Sequence, residues 1–163
     1  MYKRLLYANV DGYRAEMRTD STRLLDRYLL AKTRTLIESV TRHMDAYDLP
    51  GATAEIQGFT DALNNWYIRR SRARFWKEEQ DQDKEDAYDT LYTVLSYLVR
   101  ALAPLLPLVS EEISRGLQHP GSVHLEDWPD ASALPDDPRL VEQLDRVREV
   151  FSTALSLRED KRL

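Results

Sequence analysis

The stretch "NNWYIRRSRARFW", Asn64 to Trp76, places four arginines and four aromatic side chains within thirteen residues. Guanidinium groups pair with phosphate oxygens and stack on rings, and aromatic faces accept unstacked bases, so the combination suits a polyanion with exposed bases. Between Asn64 and Lys77 there are five positive residues and no negative one, whereas Glu78 to Asp86 holds six acids and one lysine. The same two runs could equally neutralise each other across a turn and do nothing further. Other residues capable of chemistry are poorly placed. The absence of cysteine excludes disulfides, thiolate zinc sites and a cysteine nucleophile, and His43, His119 and His124 are spread out with no third ligand beside the last two. Glu111 and Glu112 are neighbours that leave a helix about 100° apart, so they cannot share a substrate; a helix N-terminal preference for negative charge accounts for them. The five scattered glycines form no phosphate loop. No catalytic and no metal-ligating residue is assigned.

These residues need a scaffold, and the hydrophobic spacing is helical nearly throughout. Leu25, Leu29, Leu36, Val40, Met44 and Tyr47 form the stripe of a first helix, capped at Asp20 or Ser21 and ending before Pro50. Pro50 suits the first turn of a second, whose stripe of Ile56, Phe59, Leu63 and Trp66 runs into the arginine-aromatic motif. A third follows the polar run, with Tyr88, Leu91, Leu95, Leu98 and Leu102, until Pro104 and Pro107 interrupt it in a kink whose leucines continue the core stripe. "PLVSEEISRGL" reads as a short helix stopping at Gly116. Residues 118–137 hold or adjoin Pro120, Pro129, Pro135 and Pro138 and read as an irregular connector, with an extended piece at "SVHLEDW" and Trp128 pinning it to the bundle. The last helix starts at Asp137-Pro138 and carries Leu140, Leu144, Val147, Phe151 and Leu155. One-sided helices hide their stripes only against one another, so the fold class is all-α, a helical bundle with a proline-rich connector before its last helix.

At 100° per residue, Phe59, Leu63, Trp66, Arg70 and Ala73 share one side of the second helix. Arg70 thus points at the core, where a guanidinium is tolerable only when paired, and a structural ion pair is expected there. Asn65, Arg69, Arg72 and Trp76 form a second strip that the core does not need. With 163 residues the chain suits one domain. A net charge of −5 and a pI near 5.3 exclude a protein that coats nucleic acid or anionic membrane over its whole surface; a polyanion must meet a local patch. No apolar run approaches the roughly 18 residues of a membrane span, and "MYKRLLYANVDGY" lacks a signal-peptide core. A cysteine-free chain of this kind fits the cytoplasm.

"NNWYIRRSRARFW" resembles the anticodon-binding domain of isoleucyl-tRNA synthetases, whose helix commonly carries N-W-Y-[VI]-R-R-S-R-x-R-F-W. "LLYANVDGY", "DRYLLAKTRTLIESV", "MDAYDLPGATAEIQGFTDALNNWY", "APLLPLVSEEI" and "SVHLEDWPDA" agree in the same order, so the resemblance covers almost the whole chain. "APLLPLVSEEI" is shared more loosely with valyl and leucyl enzymes, and Ala73 stands where many members carry a charged residue. The resemblance implies that residues 1–19 are the end of a linker from a catalytic domain and that residues 20–163 are the helical anticodon-binding domain, truncated within its C-terminal helix. It implies a monomer that docks on the catalytic domain of its own chain and grips the anticodon stem-loop of tRNA(Ile). In that role Arg69, Arg72, Arg74 and Lys77 neutralise phosphate, Asn65 meets a base edge or ribose, and Trp76 stacks. The alternatives are the equivalent domain of a valyl or leucyl enzyme and, in another class, a helical scaffold that binds proteins through exposed Tyr and Trp.

HIGH-type and KMSKS-type motifs do not occur, so no cofactor is expected in this fragment; ATP and Mg belong to the catalytic domain of such enzymes, and editing to a further one. The purified chain is therefore expected to show no isoleucine-dependent ATP–pyrophosphate exchange. Exchange that survives repurification from a host free of other synthetases would contradict this division.

Overall fold

Six α-helices and one π-helical segment make up most of the computed structural model, which describes residues 9–10 and 13–160. The chain enters through strands β1 (Asn9–Val10) and β2 (Tyr13–Arg14), paired antiparallel over two residues each. The expected linker lies partly outside the described residues. From Tyr13 onward it straps along α4 (Gln82–Leu102). The Tyr13 hydroxyl and the Glu16 amide donate to Asp89 at 2.7 and 2.9 Å, and the Arg18 amide donates to Thr93 Oγ1 at 2.8 Å. Burial, reinforced by the Asp89 carboxylate that accepts the hydroxyl bond, pushes the Tyr13 phenol upward.

Helix α1 (Leu24–Asp45) buries Leu29, Leu30, Leu36, Ile37 and Val40 against Ile56, Phe59 and Leu63 and against Leu91, Val94 and Leu98 of α4. It opens without a side-chain cap: Ser21, expected in that role with Asp20, donates instead to Asp26 at 2.8 Å. Tyr47, expected in the stripe, is 91% exposed with φ 55°, because the helix has ended and the chain is turning through the left-handed region. Asp48 then caps α2 (Leu49–Asp61), accepting from the Gly51 amide at 3.0 Å, with Pro50 in the first turn as expected. A π-helical segment (Ala62–Ile68) and the single turn α3 (Arg72–Phe75) continue α2. Helix α4 begins inside the acidic run, capped by Asp81, so Asp83 and Glu85 lie at its positive end.

Beyond Leu102 the break at Pro104 divides the two leucines of the kink: Leu105 packs against the core as expected, while Leu106 is half-exposed and leaves the stripe. Helix α5 (Pro107–Gly116) ends where expected. Within the connector, "SVHLEDW" forms a 3-10 turn at Val123–Leu125 rather than an extended piece, because Glu111 accepts from the Ser122 hydroxyl at 2.9 Å and the Val123 amide at 3.1 Å. Glu111 therefore holds the connector, and these bonds keep its carboxyl below the usual range. Trp128 pins the connector through Nε1 to Thr41 Oγ1 at 2.9 Å. Asp137 accepts from the Leu140 amide at the start of α6 (Pro138–Asp160). Val141, flanked by Leu140 and Leu144, packs against Tyr28, Ala31 and Trp66, while Val147, Phe151 and Leu155 of the expected stripe stay exposed. No helix among the described residues is long and apolar enough to cross a membrane.

Two buried polar knots tie these elements together. Asp26, in the first turn of α1, is 0% exposed and accepts four bonds. Arg74 donates bidentately at 2.7 and 2.8 Å, Tyr67 at 2.9 Å and Ser21 at 2.8 Å. Arg74 also donates to the Asp83 carbonyl at 3.0 Å. Burial opposes the Arg74 charge, yet the bonds to Asp26 outweigh it and hold the guanidinium above its ordinary value. Burial and the Asp26 charge push Tyr67 well up. In the second knot Ser96 Oγ donates to the Tyr92 carbonyl at 2.8 Å, so its 2.9 Å contact with His119 Nε2 has the imidazole donating. Burial lowers the His119 pKa, opposed by Glu126 at 3.8 Å and reinforced by Arg100.

Arg74→Ala leaves a buried carboxylate without its counter-charge and is expected to cost about 3–5 kcal/mol in urea denaturation. Asp26→Leu combined with Arg74→Met should recover much of that loss. An unchanged midpoint for the single variant would show that the pair is not under tension to form. Because the folded His119 pKa lies below its ordinary 6.5, the folded state binds this proton less well than the unfolded chain. Stability should therefore be complete above about pH 6.5 and decline as pH falls through that value. His119→Gln should flatten this segment of the stability–pH curve.

Candidate nucleic-acid interface

Phe59, Leu63, Tyr67, Ser71 and Phe75 are all buried, at a constant spacing of four. In an α-helix a spacing of four drifts about 40° per step, so five such residues cannot stay on one side. The π-helical segment Ala62–Ile68, whose wider turns bond i to i+5, absorbs that drift. A break at Ser71, where α3 restarts, completes the adjustment. Tyr67 and Arg74 are thereby brought to Asp26, and Phe75 stacks edge-on with Tyr67 and Tyr88.

The same phase shift overturns the expectation for Arg70. Extrapolated at 100° per residue it falls on the core side; displaced by the π turns, it is exposed and has no carboxylate partner among the described residues. Its guanidinium lies 3.8 Å from the Trp66 ring centroid and 4.8 Å from that of Phe151 on α6. The structural ion pair is formed by Arg74 instead, whose side chain is only 16% exposed and has both Nη atoms on Asp26. Arg74 is thus removed from the phosphate-facing set. Ala73, assigned to the core side, is exposed.

Asn65, Arg69, Arg72 and Trp76 all reach the surface. The Arg72 guanidinium lies 6.0 Å from the ring of Trp76, which is 47% exposed. Asn65 donates to Asp61 at 2.5 Å, within reach of further partners. Lys77 pairs with Asp81 at the surface, and that hydrogen bond raises its pKa. The acidic run therefore balances only part of the motif: Asp81 takes Lys77, Asp83 meets Arg74 and Arg23, and Asp86 meets Arg18. Arg69, Arg70 and Arg72 have no carboxylate partner among the described residues.

A groove of about 960 Å³ runs between α2 with its π continuation and α6, over a floor from α1. Inside it Asp145 accepts from Tyr28 and Lys32 at 2.6 Å each, and Arg148 bridges Asp145 and Asp61 at 3.0 and 3.2 Å. Burial works against the Asp145 charge, but the bonds from Lys32 and Tyr28 keep its carboxyl below the usual range. Tyr28 and Lys32 are one turn apart on α1, as Asp145 and Arg148 are on α6, but more than a hundred residues separate the two pairs, and no spacing in the sequence points from one to the other. Among the described residues no three His, Cys, Asp or Glu side chains gather to hold a metal ion.

Residues 26–163 match the family model described as the anticodon-binding domain of tRNA ligase. The chain is 56% identical over 155 residues to isoleucine–tRNA ligase of Leifsonia xyli subsp. xyli and 54% identical over 158 residues to that of Nocardia farcinica. Against the Mycobacterium tuberculosis enzyme the identity is 51% over 146 residues. These alignments cover 94%, 97% and 90% of this chain but 14% of each relative, so the chain spans about one seventh of the length of the curated relatives it matches. The all-helical bundle, the arginine-aromatic strip on its second helical arm and the match over 26–163 agree: the chain belongs to the anticodon-binding domain family of the tRNA ligases.

Proposed function

We propose that this domain grips the anticodon stem-loop of tRNA(Ile) through the exposed strip that follows α2, within an isoleucine–tRNA ligase whose ATP- and Mg-dependent chemistry resides in other domains. The observation that carries the reading is that Arg69, Arg70 and Arg72 are exposed and have no carboxylate partner among the described residues, although six acids follow directly in sequence. These three guanidinium groups neutralise backbone phosphate, with Lys77 at the margin. Asn65 meets a base edge or ribose and Trp76 stacks on a base. The relatives' name and the identity over nearly the whole chain support isoleucine tRNA as the RNA. Exposed Val147, Phe151 and Leu155 on α6 support packing against another part of a longer polypeptide, which we take to be a monomer of the cytoplasm.

Arg69→Ala and Arg72→Ala should leave thermal stability nearly unchanged, weaken binding of a labelled anticodon stem-loop, and each lower the magnitude of the log K against log salt slope by roughly 0.9 or less. Trp76→Ala should cost about 1–3 kcal/mol of binding with the slope almost intact, since stacking releases no counterions. Wild-type affinity and slope in the arginine variants would remove the RNA from this face. Binding that is insensitive to salt would favour a protein partner instead.

A further inference from the structure

Four carboxylates line the groove between α2 and α6: Glu55, Asp61, Asp145 and Glu149. Asp61 and Asp145 pair with Arg148, and Glu55 stands 4.0 Å from His43 Nε2, but Glu149 has no ion-pair partner among the described residues. Arg70 lines the same groove and has none either. An arginine carries its charge on a long, rotatable stem, so an exposed one on the rim of an acidic groove would ordinarily turn toward the acids. Something holds the Arg70 guanidinium away from them.

Two rings do so. The guanidinium carbon lies 3.8 Å from the Trp66 ring centroid and 4.8 Å from that of Phe151, both inside the roughly 6 Å range of cation–π attraction. The rings themselves stand 6.0 Å apart at 72°, so they meet the guanidinium from two directions. Trp66 is buried and packed against Tyr28, Ala31 and Val141, whereas Phe151 comes from α6 and is half-exposed. One to two turns before Phe151, α6 is tied down by Asp145, which accepts from Tyr28 and Lys32 at 2.6 Å each, and by Arg148, which reaches Asp61 at 3.2 Å. The place of Phe151 is thus set by bonds in which Arg70 takes no part.

We propose that Phe151 is a positioning residue: with Trp66 as the floor, it holds the Arg70 guanidinium clear of Glu149 and presents the N–H edge, uncompensated, to a backbone phosphate at the exposed strip. The role rests on the RNA-binding reading above and extends it to a side chain that need not touch the RNA. Stacking occupies the faces of the guanidinium and leaves its donors at the edge, so both contacts can be made at once. Without the second ring Arg70 is free to pair with Glu149. The strip then loses one unit of unbalanced positive charge although no charged residue has been removed.

Phe151→Ala therefore has a signature that lost packing alone does not produce. In the full chain, binding of the anticodon stem-loop should weaken by as much as in Arg70→Ala, about tenfold or less, and the magnitude of the log K against log salt slope should fall by roughly 0.9 or less although the net charge is unchanged. The double variant should bind no more weakly than either single one. Phe151→Tyr keeps the ring and should retain wild-type affinity and slope. Phe151→Leu keeps apolar bulk without a ring face, should behave like Phe151→Ala, and takes its place where that variant melts early. A wild-type slope in Phe151→Ala and Phe151→Leu, alongside weakened Arg70→Ala, overturns the positioning role while the RNA reading stands. Failure of the wild-type chain to bind the stem-loop at any salt overturns both.

Discussion

A carboxylate with no solvent exposure cannot remain charged without donors, and Asp26 obtains four of them from three separate parts of the chain. Ser21 comes from the segment entering α1, Tyr67 from the π-helical segment and Arg74 from α3. Satisfying that single group fixes the rotation of the whole second helical arm. The alternative rotation, with Arg70 inward, would take Tyr67 and Arg74 away from Asp26 and leave a buried carboxylate without its donors. The π turns therefore do more than relieve a spacing mismatch, because they choose which arginine is structural.

Four arginines within six residues thus meet four different fates. Arg74 is consumed by the core, Arg70 lies across two rings, Arg72 stands beside Trp76, and Arg69 faces the groove. Arg70 stacked on Trp66 and Phe151 also connects the strip to α6, which otherwise reaches this face through Val141 and the Asp145–Arg148 pairs. A guanidinium stacked on rings keeps its N–H edge free, so stacking and phosphate contact do not compete for the same atoms.

The helices were legible from their period, and so were Pro50, the Asp137-Pro138 start and the stop at Gly116. Errors collected where a local rule was extended across an irregularity. Arg70 and Ala73 were misplaced because a period of 3.6 was carried through the π segment, and Tyr47 because the stripe was carried past the end of its helix. Nothing in "LLDRYLL" marks Asp26 as buried: an acid in a first turn normally serves the helix dipole at the surface, and only the remote Tyr67 and Arg74 explain it. Glu111 was misread for the same reason, its partners lying in the connector. The exposure of Asn65, Arg69, Arg72 and Trp76 was legible because the π turns keep Leu63, Tyr67, Ser71 and Phe75 on the core, and these four residues alternate with that buried row. The groove was not, since it needs α6 beside α2, a neighbour relation that no periodicity encodes.

That an acidic chain gathers unpaired arginines at one face follows from the range over which charge acts. At physiological ionic strength the screening length is about 8 Å, so an approaching RNA responds to nearby groups rather than to the net charge of −5. Several acids on the neighbouring elements have partners of their own: Asp83 with Arg23 and Arg74, Asp81 with Lys77, Asp61 and Asp145 with Arg148. Each such pair cancels a field that would otherwise oppose a polyanion near Arg69, Arg70 and Arg72, which have no carboxylate partner among the described residues. The internal ion pairs thereby shape the potential of the proposed RNA-facing side even where they add little to stability, because a surface pair is worth only a fraction of a kcal/mol, about 0–1, whereas its effect on local potential acts on any anion within reach.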